Sequence, residues 1–116
     1  MTVTPERPDF RTWLAARSDA ELSELLRLRP DVVLPLPPGI TPLAARLELR
    51  ASVGRALRTL TALELATVEA AAELGAELEP VTATDIINET VARAGDPSPE
   101  QVEDALGRLA ALAVLY

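Results

Sequence analysis

The chain has 116 residues, a net charge of −7 and 48% apolar residues, enough for one domain with an aliphatic core. It contains no Cys and no His, so disulfides, thiolate metal sites, imidazole ligands and Ser/His/Asp or Cys/His catalysis are all excluded. Its single Trp, Tyr and Phe leave the core to Ala, Leu and Val.

Residues 1–8 carry two prolines and little apolar content, and read as a loose arm with no signal-peptide core. Asp9 is placed to cap a short helix in which Phe10, Trp13 and Leu14 share a face. Trp13 reads as a core anchor; the rival reading is an exposed docking residue. Ser18-Asp19-Ala20-Glu21 is a capping box. The helix it opens has Leu22, Leu25 and Leu26 as its buried stripe. Arg27 and Arg29 suit the negative end of that helix, and Pro30 pushes Arg29 out of helical geometry.

Asp31 to Gly39 reads DVVLPLPPG, an extended polyproline-like connector. Its Val32, Val33, Leu34 and Leu36 are expected on the core; the alternative is a ligand for a PxxP-binding groove. Thr41-Pro42 predicts a new helix with Thr as cap and Pro at the first position, burying Leu43 and Leu47. Ser52 is the expected cap of a further helix carrying Val53, Ala56, Leu57 and Leu60. Arg46 and Arg50 fall on an outer face, and Arg55 and Arg58 on the polar side of the next helix. These four arginines form the candidate basic patch for nucleic acid; the bland alternative is a solvated face paired with Glu48.

Thr61-Ala62-Leu63-Glu64 is a second capping box. Its helix runs to about Gly75, with Leu63, Ala66, Ala70 and Leu74 on one face and Leu65, Val68 and Ala72 on another, which predicts a central position. Glu69, Glu73 and Glu77 lie four apart and read as a solvated face. Thr82 or Thr84 caps a helix carrying Ile86, Ile87 and Val91 and ending near Gly95. After a turn at Asp96-Pro97, Ser98-Pro99-Glu100-Gln101 starts the last helix, with Val102, Ala105, Leu106, Leu109 and Leu112 as its stripe. Gly107 within it suggests a close helix–helix approach. Ala113-Val114-Leu115-Tyr116 reads as the start of a β-strand, so the sequence looks like a piece of a longer protein continuing after Tyr116.

The expected fold is all-α: a small multi-helix bundle, with 1–60 a helical layer crossed by the Pro-rich segment and 61–116 a winged-helix-like (helix-turn-helix) half ending in the first strand of a truncated wing. The two parts are expected to form one compact unit. Charge divides the same way: residues 1–60 hold nine Arg against seven Asp/Glu, and residues 61–116 two Arg against eleven. The second half repels a phosphate backbone and the first tolerates one. The helix from Ser98 stands where a recognition helix would, yet Glu100, Glu103 and Asp104 oppose major-groove reading. No phosphate loop or other catalytic signature is present, so no enzyme activity, metal or cofactor is expected. No apolar run reaches the length of a membrane span, and a cytoplasmic protein is expected.

Trp13-Leu14-Ala15-Ala16-Arg17-Ser18-Asp19-Ala20-Glu21-Leu22, Leu25-Leu26-Arg27-Leu28-Arg29-Pro30-Asp31, Pro35-Leu36-Pro37-Pro38, Leu43-Ala44-Ala45-Arg46 and Ala51-Ser52-Val53-Gly54-Arg55-Ala56-Leu57 together resemble the N-terminal region of actinobacterial helicase-associated domain proteins, described as XPB-like after a DNA repair and transcription helicase. The resemblance covers roughly residues 10–75 and is weaker beyond residue 80. The basic residues are all Arg and the chain is rich in Ala, as in a GC-rich bacterial genome. The resemblance implies a long protein with a helical, winged-helix-like N-terminal part, partnered with DNA or a DNA-processing protein. The motor motifs of a helicase are absent here, so the implied role is scaffold or partner binding. A protein-interaction or oligomerisation module with no nucleic-acid role is the alternative.

Overall fold

In the computed structural model, which describes residues 9–76, 79–94 and 97–116, helices follow the capping signals closely. Asp9 accepts the Thr12 N–H and opens α1 (Phe10–Ala15). The Ser18/Glu21 box opens α2 (Asp19–Leu28), and Arg29 leaves the helix at φ −123° before Pro30. α3 (Ile40–Leu47) and α4 (Arg50–Leu57) follow. The Thr61/Glu64 box opens α5 (Ala62–Glu73), the Thr82 hydroxyl accepts the Asp85 N–H at the start of α6 (Ala83–Ala94), and the Ser98/Gln101 box opens α7 (Pro99–Ala111). The architecture is all-α, with no strand among the described residues. The expected arm at 1–8, Glu77, Gly95 and Asp96 lie outside those residues.

α5, α6 and α7 pack pairwise as a trio. Val68, Ala71, Ile86, Leu109 and Leu112 are buried in their cluster, and Ala56 of α4 joins them there. A second cluster gathers Phe10, Leu14, Leu25, Leu43 and Leu47 from α1–α3 and Val32 from the turn at Pro30–Val33. The last residues join both: Val114 and Leu115 enter the first cluster and Ala113 the second.

Several expectations are corrected. The tail is not a strand. Ala113 adopts φ 57°, the Val114 N–H donates to Leu109 O and the Ala113 N–H to Ala110 O, which is a Schellman reversal. The same closure ends α5, where Gly75 holds φ 85°. Without glycine at 113 the reversal costs roughly 1 kcal/mol, offset by burial of the three aliphatic residues Ala113, Val114 and Leu115.

The 30–39 connector begins with a 3-10 turn, Pro30–Val33, in place of a continuous extended path, and the Leu34–Pro35 peptide is cis. Val32 is buried, but Leu34 and Leu36 are 84% and 75% exposed, contrary to their expected core positions. Thr41 does not cap α3: Gly39 occupies the cap position, and the Thr41 hydroxyl accepts the Arg11 Nε–H at 2.6 Å, tying α1 to α3. Ser52 does not cap α4 either; it lies within the helix, buried. In α5 the buried face is Glu64, Thr67, Val68 and Ala71, at i, i+3, i+4 and i+7, together with Ala70, while Leu65 and Leu74 are exposed. Small side chains let α6 and α7 approach; the helix's apolar girth did not reveal which face would be chosen. Gly107 is not needed for a close approach, since a Cβ there would meet nothing within 4 Å.

Candidate nucleic-acid interface

Arginine does two different jobs in this molecule, and burial separates them. Arg29 is 1% exposed. One Nη donates to Leu112 O at 2.8 Å; the other donates to Leu47 O and to Ser52 Oγ, both at 2.8 Å. Leu47 ends α3 and Leu112 caps α7, so the guanidinium satisfies orphan carbonyls at two helix C-termini, where a cation also complements the dipoles. Burial pushes its pKa down, partly opposed by the nearby Asp31 carboxylate; a guanidinium still stays charged. Sequence reasoning gave Arg29 only a dipole role. The missed signal was positional: Arg29 lies at i+7, i+4 and i+3 from Leu22, Leu25 and Leu26, on the buried stripe itself.

Arg46 belongs to the same structural class. It is half-buried on α3, and Nη1 donates to Val32 O at 3.0 Å and also to Pro35 O. It clamps the proline-rich crossing to α3. It is not on a free outer face with Arg50 as expected. The other three candidates are exposed on or just after α4: Arg50 at its first residue, Arg55 in its last turn and Arg58 at its C-cap. Arg55 and Arg58 line one cavity of about 540 Å³ together with Arg29, Asp31 and Thr59, and Arg50 is not part of it. The structure therefore brings two of the four predicted arginines together, leaves Arg50 apart and commits Arg46 to backbone carbonyls. Among the described residues no carboxylate pairs with Arg50, Arg55 or Arg58, and the expected Glu48 partner is not within ion-pair distance of any arginine described.

The exposed face of α7 carries the opposite sign. Glu100, Glu103 and Asp104 are exposed along α7. Arg108, its one cation, is bound by the buried Glu64 at 3.0 Å. Gln101 spends its side chain on the capping box. Arg93 joins α6 to α5 through Glu73 at 3.5 Å and also meets Glu89 at 3.2 Å.

The chain's three aromatic rings meet at one point. Tyr116 sits 4.9 Å from Phe10 and 5.0 Å from Trp13 between ring centroids, and the Arg17 guanidinium lies 4.5 Å above the Trp13 ring. Trp13 is thus a half-buried anchor for the tail. Among the described residues no group of three or more acidic, His or Cys side chains is placed to hold a metal ion, and no helix is long and apolar enough to cross a membrane.

The chain matches no family model, and neither the curated proteins nor the solved structures yield a match.

Proposed function

We propose that this chain is a non-catalytic module of a helicase-associated protein, acting in DNA transactions as a scaffold or partner-binding domain with at most weak direct contact to DNA. In this reading the protein is cytoplasmic, and α5–α7 are the helical part of a winged helix whose α7 meets protein instead of the major groove. What supports the reading is the division of charge between elements: exposed cations on and just after α4 that meet no carboxylate among the described residues, and exposed carboxylates along α7. Phosphate contacts supply most non-specific affinity, so α7 repels a duplex and the α4 region attracts one. Fluorescence anisotropy of the full chain with duplex and single-stranded DNA tests this. Salt-sensitive binding in the micromolar range or weaker is expected; no binding even at low salt, where screening is least, removes DNA from the account.

A second reading, a protein-interaction module with no nucleic-acid role, is favoured by one observation. Leu34 and Leu36 project from the proline-rich crossing at 84% and 75% exposure, on a segment held by Arg46. Failure of all DNA binding together with self-association lost in Leu34→Ser/Leu36→Ser would favour it.

A further inference from the structure

The cavity beside α4 has a composition unlike the rest of the surface. One wall is Leu28 to Asp31 and the other is Arg55, Ala56, Arg58 and Thr59. The exposed Arg55 and Arg58 and the Asp31 carboxyl line it, and Arg29, 1% exposed, borders it from the interior, so the four side chains sum to about +2 around a concave site. Elsewhere Arg17, Arg27, Arg93 and Arg108 each meet a carboxylate within 3.5 Å. Arg55 and Arg58 meet none among the described residues, although they stand one helical turn apart. Arg29 is fixed at the base by three hydrogen bonds and cannot turn away. Its Nε is a buried side-chain polar atom with no protein partner among the described residues. Guanidinium forks match the oxygens of a phosphate better than any other planar donor a protein has.

We infer that this cavity is a phosphate site: Arg55 and Arg58 grip the oxygens of one phosphate group, and Arg29 adds fixed positive potential from beneath. The inference rests on the proposed function only in naming the source, a phosphodiester of a nucleic-acid backbone. Asp31 works against the ligand from the opposite wall and keeps the site weak.

The test uses the full chain and two probes: a labelled DNA duplex followed by anisotropy across a salt series, and inorganic phosphate followed through the arginine Nε–H signals by NMR. Arg55→Gln/Arg58→Gln is compared with a charge-matched control outside both the cavity and α4, Arg27→Gln/Arg93→Gln. The expected result is about a tenfold or greater loss of duplex affinity in the cavity variant, a salt slope lower by about 2, a clearly smaller loss in the control, and several-fold tighter binding for Asp31→Asn. Equal losses in both double variants would overturn the site and leave DNA binding standing. Phosphate-induced shifts of the arginine signals without duplex binding would support the site and sink the DNA reading. Neither phosphate shifts nor duplex binding would overturn both.

Discussion

The α1–α4 layer and the α5–α7 trio solve the same problem by different means. The trio's helices have 12, 12 and 13 residues, each opened by a hydroxyl cap, and they close on an aliphatic cluster. The α1–α4 layer's helices have 6, 10, 8 and 8 residues, and only α1 and α2 have side-chain caps. Helices this short are marginal alone, and a larger share of their backbone groups lies in unsatisfied ends. Arginine supplies what is missing: Arg29 to Leu47 O and Leu112 O, Arg46 to Val32 O, Arg17 to Trp13 O. Where helix length and aliphatic mass are limited, a planar cation reaching several carbonyls takes over the task of joining elements. The comparison also separates arginines that build the fold from those left for a ligand.

The largest effect is expected where the two regions meet. Arg29→Met leaves Leu47 O, Leu112 O and Ser52 Oγ buried without their donor, and is expected to cost about 3–5 kcal/mol in urea denaturation. A loss near zero would mean that the layer does not depend on the guanidinium. Within the trio, Leu109→Ala is expected to cost about 2–4 kcal/mol by the same measurement, since Leu109 is fully buried. Removing the cap hydroxyls, Ser18→Ala in the layer or Thr61→Ala in the trio, is expected to cost about 1 kcal/mol each. Acid sharpens the contrast between α1–α2 and α7. The Thr12 backbone N–H holds the Asp9 carboxyl below its ordinary pKa, and the Ser18 backbone N–H does the same for Glu21. Depressed folded-state values mean that these contributions are present above the unfolded pKa, about 4, and are lost as pH falls through the lower folded value. α7 uses Gln101, which does not titrate. Protection factors, taken relative to the intrinsic exchange rate at each pH, should therefore fall in acid at Thr12 and Ser18 while Ser98 keeps its own; an equal fall at all three would contradict this. The smallest effect is Gly107→Ala, expected to stabilise by roughly 0.5–1 kcal/mol because the added methyl meets nothing.

Much of the local structure was legible in the sequence. Asp9, Ser18, Thr61 and Ser98 lie where their capping patterns place them because a hydroxyl or carboxylate beside free N–H groups is a strictly local device. Thr41 and Ser52 carry the same local signal, but α3 and α4 each begin at least one residue earlier, and the two hydroxyls accept instead from distant arginines, Arg11 and Arg29. The tail reads as a strand because Ala-Val-Leu-Tyr has strand propensity; its reversal at Ala113 depends on burial that no short window contains. Of the candidate interface, the cluster on α4 was visible as sequence spacing. The diversion of Arg46 and the wall contributed by Arg29 and Asp31 were not, since both depend on how the crossing at Pro30–Val33 folds back.

The central claim is that Arg29 and the C-terminal tail make the two clusters one cooperative unit. Equilibrium urea unfolding, followed at once by far-UV circular dichroism and by fluorescence, tests it directly, because Trp13 is the chain's single tryptophan and stands against Tyr116 in the α1–α4 layer. Coincident transitions with one midpoint are the predicted result. A Trp13 transition completed before most of the helical signal is lost would show that the α1–α4 layer unfolds from a surviving trio, and would contradict the account.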